Sequence, residues 1–220
     1  MATPTAPYKT ALRWPGLTRF YDAIMALTMR ERSFRGAIID QLEATTPSSI
    51  LDVGCGTGTL LMMLRQALPE AMLFGVDGDE TALQVARQKA EAVVGKPVWF
   101  KNGLATSLLF ESASWDSVTC SLLFHHLSDA DKRRAIDEMR RVLRPGGTVV
   151  VADWGPPANW LIGVLFTGLQ LFDGFDTTAF NRRGQLPRLM EEAGFTNVRR
   201  ARRVNTAFGT LDILRGERPL

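Results

Sequence analysis

Cysteine is nearly absent from the chain, with Cys55 and Cys120 the only two in 220 residues. This excludes a disulfide-stapled scaffold, and with only two histidines, His125 and His126, it leaves no ligand set for a zinc site. Both thiols are expected to be reduced, and no metal is expected. The start, MATPTAPYKT, lacks the charged residues and apolar run of a secretory signal, so it reads as an arm and the location as cytoplasmic. An excess of either charge is also missing, with a formal net value of +3 and an ordinary 22% of charged residues. No basic stripe interleaved with aromatics is present, which removes the usual footprint of a nucleic-acid binder. A stretch of nineteen residues from Trp154 through Phe172 carries no charge. Pro156, Pro157, Asn159 and Gln170 break it well short of the roughly 20 apolar residues that a membrane span needs.

The chain does have the means to bury a core. At 45% hydrophobic residues it reads as one globular domain with a sheet and two helical layers. Apolar runs bounded by glycine or proline alternate with segments of 3.6-residue period, the pattern of a doubly wound α/β fold. Strands are expected near 48–53, 72–77, 97–102, 115–120 and 147–153, helices near 59–68, 79–94 and 129–143, and two further strands close the sheet. Ser128-Asp129-Ala130-Asp131 reads as a capping box, and Arg144-Pro145-Gly146-Gly147 as the end of the helix before the fifth strand. Arg199, Arg200, Arg202 and Arg203 crowd a late segment, with Arg182 and Arg183 just before it. These are either solvated faces that discourage edge pairing or a basic edge for peripheral contact with an anionic membrane surface or an acidic partner.

The densest signal is Ile50-Leu51-Asp52-Val53-Gly54-Cys55-Gly56-Thr57-Gly58-Thr59-Leu60. An apolar strand ends in an acid, passes through three alternating glycines and enters an amphipathic helix. Alternate glycines permit positive φ and let a ligand approach main-chain N–H groups that a Cβ would shield. The spacing is G-x-G-x-G rather than the G-x-G-x-x-G of dinucleotide binders. A second apolar strand, Leu73-Phe74-Gly75-Val76-Asp77, ends in a carboxylate nineteen residues beyond Gly58, placed to accept from two ribose hydroxyls. Together these features suit an adenosine-like ligand at the carboxyl ends of the strands. The plainer alternatives are an ordinary strand-to-helix turn for the glycines and a charge at the next helix's N-terminus for Asp77.

Four segments in this order, Leu51 to Gly58 (LDVGCGTG), Asp77, Ser114 to Leu127 (SWDSVTCSLLFHHL) and Leu143 to Asp153 (LRPGGTVVVAD), resemble the successive motifs of class I S-adenosylmethionine-dependent methyltransferases. Phe20-Tyr21-Asp22 and Ala207-Phe208-Gly209-Thr210-Leu211 are similar to the ubiquinone/menaquinone C-methyltransferase-like branch. The resemblance implies a Rossmann-like, seven-stranded sheet with an antiparallel last strand. It also implies an N-terminal helical arm (1–45), a cofactor-binding core (46–153), a lid insert (154–183) and a C-terminal helix with strands (184–220). The implied cofactor is S-adenosylmethionine, with S-adenosylhomocysteine as product. Asp52, Gly54, Gly56 and Gly58 would hold its methionine end, Asp77 the ribose, Leu104 and Ala105 the adenine, and Ser121 the back wall near the sulfonium. Tyr21, Cys55 and Gly78 would be further cofactor-binding residues. Leu104 stands where relatives commonly carry an aspartate that accepts from the adenine amine, so that one contact is lost. If the first and fourth strands are neighbours, as the family topology implies, a Cys55–Cys120 disulfide is conceivable but is not expected in a reducing cytosol.

The resemblance implies methyl transfer to a small hydrophobic or aromatic acceptor. His125 and His126 follow the fourth strand beside the expected methyl group, either as a general base or as packing and helix-capping residues. Trp154, Trp160, Phe166, Phe172 and Phe175 would face Tyr8, Trp14, Phe20 and Tyr21 across a water-poor pocket, or simply bury the lid on the sheet. The Asn/Asp-Pro-Pro-aromatic element of base-modifying enzymes is replaced by Ser121-Leu122-Leu123-Phe124, so nucleic acid is not the expected substrate. A membrane-associated quinone precursor, a phospholipid headgroup, and a non-catalytic S-adenosylmethionine-binding protein remain as alternatives. Oligomeric state is not legible.

Overall fold

The computed structural model describes residues 30–158, 180–181, 183–206 and 209–220. Tyr21, the rest of the expected arm up to residue 29 and the lid aromatics from Trp160 to Phe175 lie outside them. Among the described residues seven strands form one sheet: β1 (Ser49–Val53), β2 (Met72–Asp77), β3 (Val98–Asn102), β4 (Trp115–Ser121), β5 (Leu143–Trp154), β6 (Thr196–Thr206) and β7 (Gly209–Glu217). Their order is β3-β2-β1-β4-β5-β7-β6. Only β7 runs against its neighbours, lying antiparallel to both β5 and β6. This is the expected Rossmann-like arrangement with an antiparallel last strand. Among the described residues the sheet is flanked by the helices α1 (Glu31–Glu43), α2 (Thr59–Ala67), α3 (Glu80–Glu91), α4 (Asp129–Val142) and α5 (Leu186–Glu192). None of them is long and apolar enough to cross a membrane.

The central strand β1 is buried at all five positions, as a parallel strand covered on both faces must be. Its alternation divides the core. Ile50 packs with Phe34, Ile38 and Leu42 of α1 and Leu60, Leu61 and Leu64 of α2. Leu51 and Val53 pack on the opposite face with Ile136, Met139 and Val142 of α4 and Leu189 and Met190 of α5. The same division keeps the cysteines apart although β1 and β4 are neighbours. Cys55 belongs to the first core and Cys120 to the second, and both are free thiols. Gly75 lets β2 come close beneath the glycine loop. A Cβ there would lie 2.7 Å from Cys55 Sγ, 2.8 Å from Leu61 and 2.9 Å from Phe100.

Most expected boundaries fall within a residue or two of those observed; α3 ends at Glu91 rather than near 94, and β5 departs furthest. It starts at Leu143 rather than near 147, because Leu143 pairs with Trp115 before the register shifts to Ser117 against Thr148. The Arg144-Pro145-Gly146-Gly147 run is taken up by this irregularity and by pairing with the C-terminal residues. Gly146 N–H donates to Arg218 O and Arg218 N–H to Gly147 O, each at 2.8 Å. The end of α4 is capped from a distance, the Arg218 guanidinium reaching the Arg140 and Arg141 carbonyls at 3.1 and 3.0 Å. At its start, Ser128 Oγ accepts from Asp131 N–H at 3.2 Å and donates to Asp131 Oδ2 at 2.7 Å. The capping box is thus half closed, since the short aspartate returns to the hydroxyl rather than to the backbone.

The arginine cluster lies on β6, the edge strand. Arg200 and Arg203 both pair with the buried Asp212 of β7, at 3.0 and 2.8 Å, and Arg202 lies 3.6 Å from Asp40 of α1. Much of this charge therefore closes the edge of the sheet.

Candidate active site

Strand order reverses between β1 and β4, where open α/β sheets leave a crevice outside the carboxyl ends of the strands. Register brings the acids of two strands to that end: Val53 is level with Val76 and Cys120, and Asp77 with Asn102. The glycine loop is drawn against β2 by Gly54 and Cys55, whose N–H groups donate to Val76 O at 2.8 and 3.1 Å. Asp77 then clamps it. Its Oδ2 accepts from Gly56 N–H and its Oδ1 from Asp79 N–H, both at 2.8 Å. Asp79, not Asp77, caps α3, accepting from Thr81 and Ala82 N–H. Lys89 of α3 holds the far side, donating to Thr57 and Thr59 hydroxyls at 2.9 and 3.1 Å.

This arrangement departs from the sequence expectation in one respect. The N–H groups of Gly54, Cys55, Gly56 and Gly58 are engaged within the protein, the last with Cys55 O at 2.9 Å. What the loop offers a ligand is close approach to its backbone. Gly56 has φ +52°, and a Cβ built on it meets nothing within 4 Å. The backbone at Gly56 is thus open to close approach from outside the loop.

Asp52 lies behind the loop rather than in it. It is buried, level with Thr119, whose hydroxyl donates to it at 2.8 Å. Burial pushes its carboxyl up to about 6, against the pull of the Thr119 hydrogen bond and the Arg35 charge, and the Asp77 charge adds a little. Burial, reinforced by the Asp52 and Asp77 charges, also keeps the Cys55 thiol far above its usual range. Beyond β2, Gly103 N–H donates to Asp77 O at 3.0 Å, which sets Leu104 next to the clamp, half exposed and bridged to Ser107. Ala105 packs on the second core. Asn102 ties β3 to Gly78, donating to its carbonyl at 3.2 Å.

Past Ser121 the chain bends through Leu122, at φ +55°, into a one-turn 3-10 helix over Phe124–His126. Here the two histidines separate in role. His125 is buried, with Nδ1 2.9 Å from Asp153 Oδ1, while His126 stacks obliquely on it, ring centres 3.9 Å apart. His126 keeps an exposed edge, and partial desolvation together with the neighbouring His125 lowers it below its ordinary range. Asp153, at the end of β5, is fully buried and gathers four donors. Its Oδ1 accepts from Trp154 N–H at 2.7 Å, His125 at 2.9 Å and Asn181 Nδ2 at 2.9 Å, and its Oδ2 accepts from Phe124 N–H at 2.8 Å. Burial works against the charge, but His125 and these hydrogen bonds hold the carboxyl below its usual range. An ionised carboxylate only accepts, so His125 presents Nδ1–H to it and Nε2 is left as the basic atom.

The crevice thus brings together Asp52, the glycine loop, Asp77, Gly78, Leu104, Ala105, Ser121 and both histidines at one end of the sheet. Thr119, Asn102, Asp153 and Asn181 join them. Asp153 could have been found, as an acid closing an apolar strand beside the histidines. Asn181, brought in from beyond the uncharged stretch, leaves no signal in the sequence. Among the described residues no cluster of three or more His, Cys, Asp or Glu side chains could hold a metal ion.

Comparison with known proteins agrees with this architecture. A family model described as a methyltransferase domain matches residues 50–147, the span from β1 through the start of β5. The demethylmenaquinone methyltransferase of Deinococcus radiodurans is 37% identical over 136 residues, 62% of this chain and 55% of that protein. The demethylmenaquinone methyltransferase of Staphylococcus aureus is 29% identical over 204 residues, 83% of each chain. The chain spans between half and two thirds of the Deinococcus and Thermus thermophilus relatives, 55% and 59% of their lengths. A methyltransferase fold is also found in magnesium protoporphyrin IX methyltransferase of Synechocystis with bound S-adenosylhomocysteine. It superposes with a TM-score of 0.68 at 22% identity, over 86% of this chain and 83% of that one.

Proposed function

We propose that this chain is a class I S-adenosylmethionine-dependent methyltransferase that moves a methyl group to a small hydrophobic or aromatic acceptor of the quinone-precursor type. The observation that carries the proposal is the clamp of Asp77 on Gly56, with open space beside the loop and a His125–Asp153 pair across the same crevice. Asp77 and Gly78 would take the ribose, Gly54 to Gly58 the methionine end with Asp52 behind them, Leu104 and Ala105 the adenine, and Ser121 the wall near the sulfur. S-adenosylmethionine supplies a methyl group on a positively charged sulfur, and displacement leaves a neutral thioether. The protein's part is to align the acceptor with that carbon and to exclude water. Where the acceptor must lose a proton, His125 Nε2 takes it, and the Asp153 carboxylate stabilises the imidazolium that results. Support for a quinone-like acceptor comes from the relatives named above and from the uncharged stretch of Trp154 to Phe172.

Incubation with S-adenosylmethionine and 1,4-naphthalenediol, with mass detection of the product, tests the proposal. The expected result is a singly methylated product, formed at least about a hundredfold more slowly by His125→Ala. No transfer to naphthalenediols, phenols or a lipid extract, combined with no binding of S-adenosylhomocysteine, refutes it.

A further inference from the structure

Asn181 is fully buried, and its Oδ1 has no hydrogen-bond partner, whereas its Nδ2 donates to Asp153 Oδ1 at 2.9 Å. An unpaired buried carbonyl is costly enough that native structures seldom keep one without a use. Its setting is firm. Gly184 N–H donates to Asn181 O at 2.9 Å, and the neighbouring Phe180 ring carries the Lys132 ammonium of α4 4.9 Å from its centre. The amide cannot turn over to relieve its oxygen, because that would set oxygen against the Asp153 carboxylate. The same carboxylate oxygen receives His125 Nδ1–H at 2.9 Å. One anion therefore fixes two neighbouring side chains, turning the acceptor atom of each, His125 Nε2 and Asn181 Oδ1, away from itself.

Resting on the methyl-transfer function proposed above, we infer that Asn181 is an acceptor-positioning residue, its Oδ1 receiving a hydrogen bond from a hydroxyl of the methyl acceptor beside His125. The pairing is selective by chemistry. Two hydrogen-bond acceptors welcome an O–H donor and repel a carbonyl or ether oxygen at the same place. The carboxylate at the base, held by backbone N–H groups of Phe124 and Trp154, keeps both side chains oriented before the acceptor arrives.

The test is a comparison of 1-naphthol with 1-fluoronaphthalene, similar in shape but without the O–H. Each is titrated calorimetrically into protein saturated with S-adenosylhomocysteine, so that no turnover occurs. Wild type is expected to bind 1-naphthol about tenfold or more tightly than the fluoro compound. Asn181→Leu, which fills the space without hydrogen bonding, should bind the two within about twofold while holding S-adenosylhomocysteine as wild type does. Should that variant lose S-adenosylhomocysteine, Asn181→Ala makes the same comparison. Equal binding of the two probes by wild type, binding of neither, or a preference for 1-naphthol that survives in the variant overturns the inference. Failure of wild type to bind S-adenosylhomocysteine instead removes the proposed function on which it rests.

Discussion

One buried group of the crevice, Asp52, makes stability depend on pH in a direction that a single substitution can read. Asp52 lies near 6 against an ordinary 3.8. The folded chain binds the proton more readily than the unfolded chain, so stability is gained as pH falls through about 6. At about 1.4 kcal/mol for each tenfold difference in proton affinity, the change between pH 7 and about 4.5 is of order 2 kcal/mol. Urea unfolding of wild type and Asp52→Asn at the two pH values reads this contribution as a difference, from which carboxylates common to both proteins drop out. Asp52→Asn should lose about 2 kcal/mol relative to wild type on acidification. A profile parallel to wild type within about 0.5 kcal/mol would refute the claim that Asp52 is buried with its carboxyl raised.

Two substitutions test the crevice from the side of the cofactor. Gly56→Ala has room for its methyl group but places it where the ligand approaches, so S-adenosylhomocysteine affinity should fall about tenfold or more while stability falls by only about 1 kcal/mol, read by titration and thermal unfolding. Leu104→Asp restores an acceptor at a half-exposed position beside the Asp77 clamp, and the same titration should show binding about fivefold tighter.

Much of this was legible in the sequence because the signals are local. The glycine loop, the acid ending β2 and the apolar alternation of β1 each lie within one element and its turn. The ends of β5 and α4 were less legible, since they are decided by Arg218, near the far end of the chain, pairing with Gly146 and Gly147. The tautomer of His125 was hidden for the same reason. His125 and His126 are neighbours of one residue type, and only the approach of Asp153 and Asn181 from other parts of the chain separates their roles. Burial of Asp52 behind its own loop likewise depends on Thr119 from β4, and no spacing rule encodes that contact.

The most direct test of the central claim is calorimetric titration of S-adenosylmethionine and S-adenosylhomocysteine into wild type and Asp77→Ala. The account predicts micromolar binding by wild type. It predicts a loss of at least about a hundredfold in the variant, as expected when two hydrogen bonds to a carboxylate disappear. Binding that survives Asp77→Ala unchanged, or no binding of either ligand to folded wild type, would contradict it.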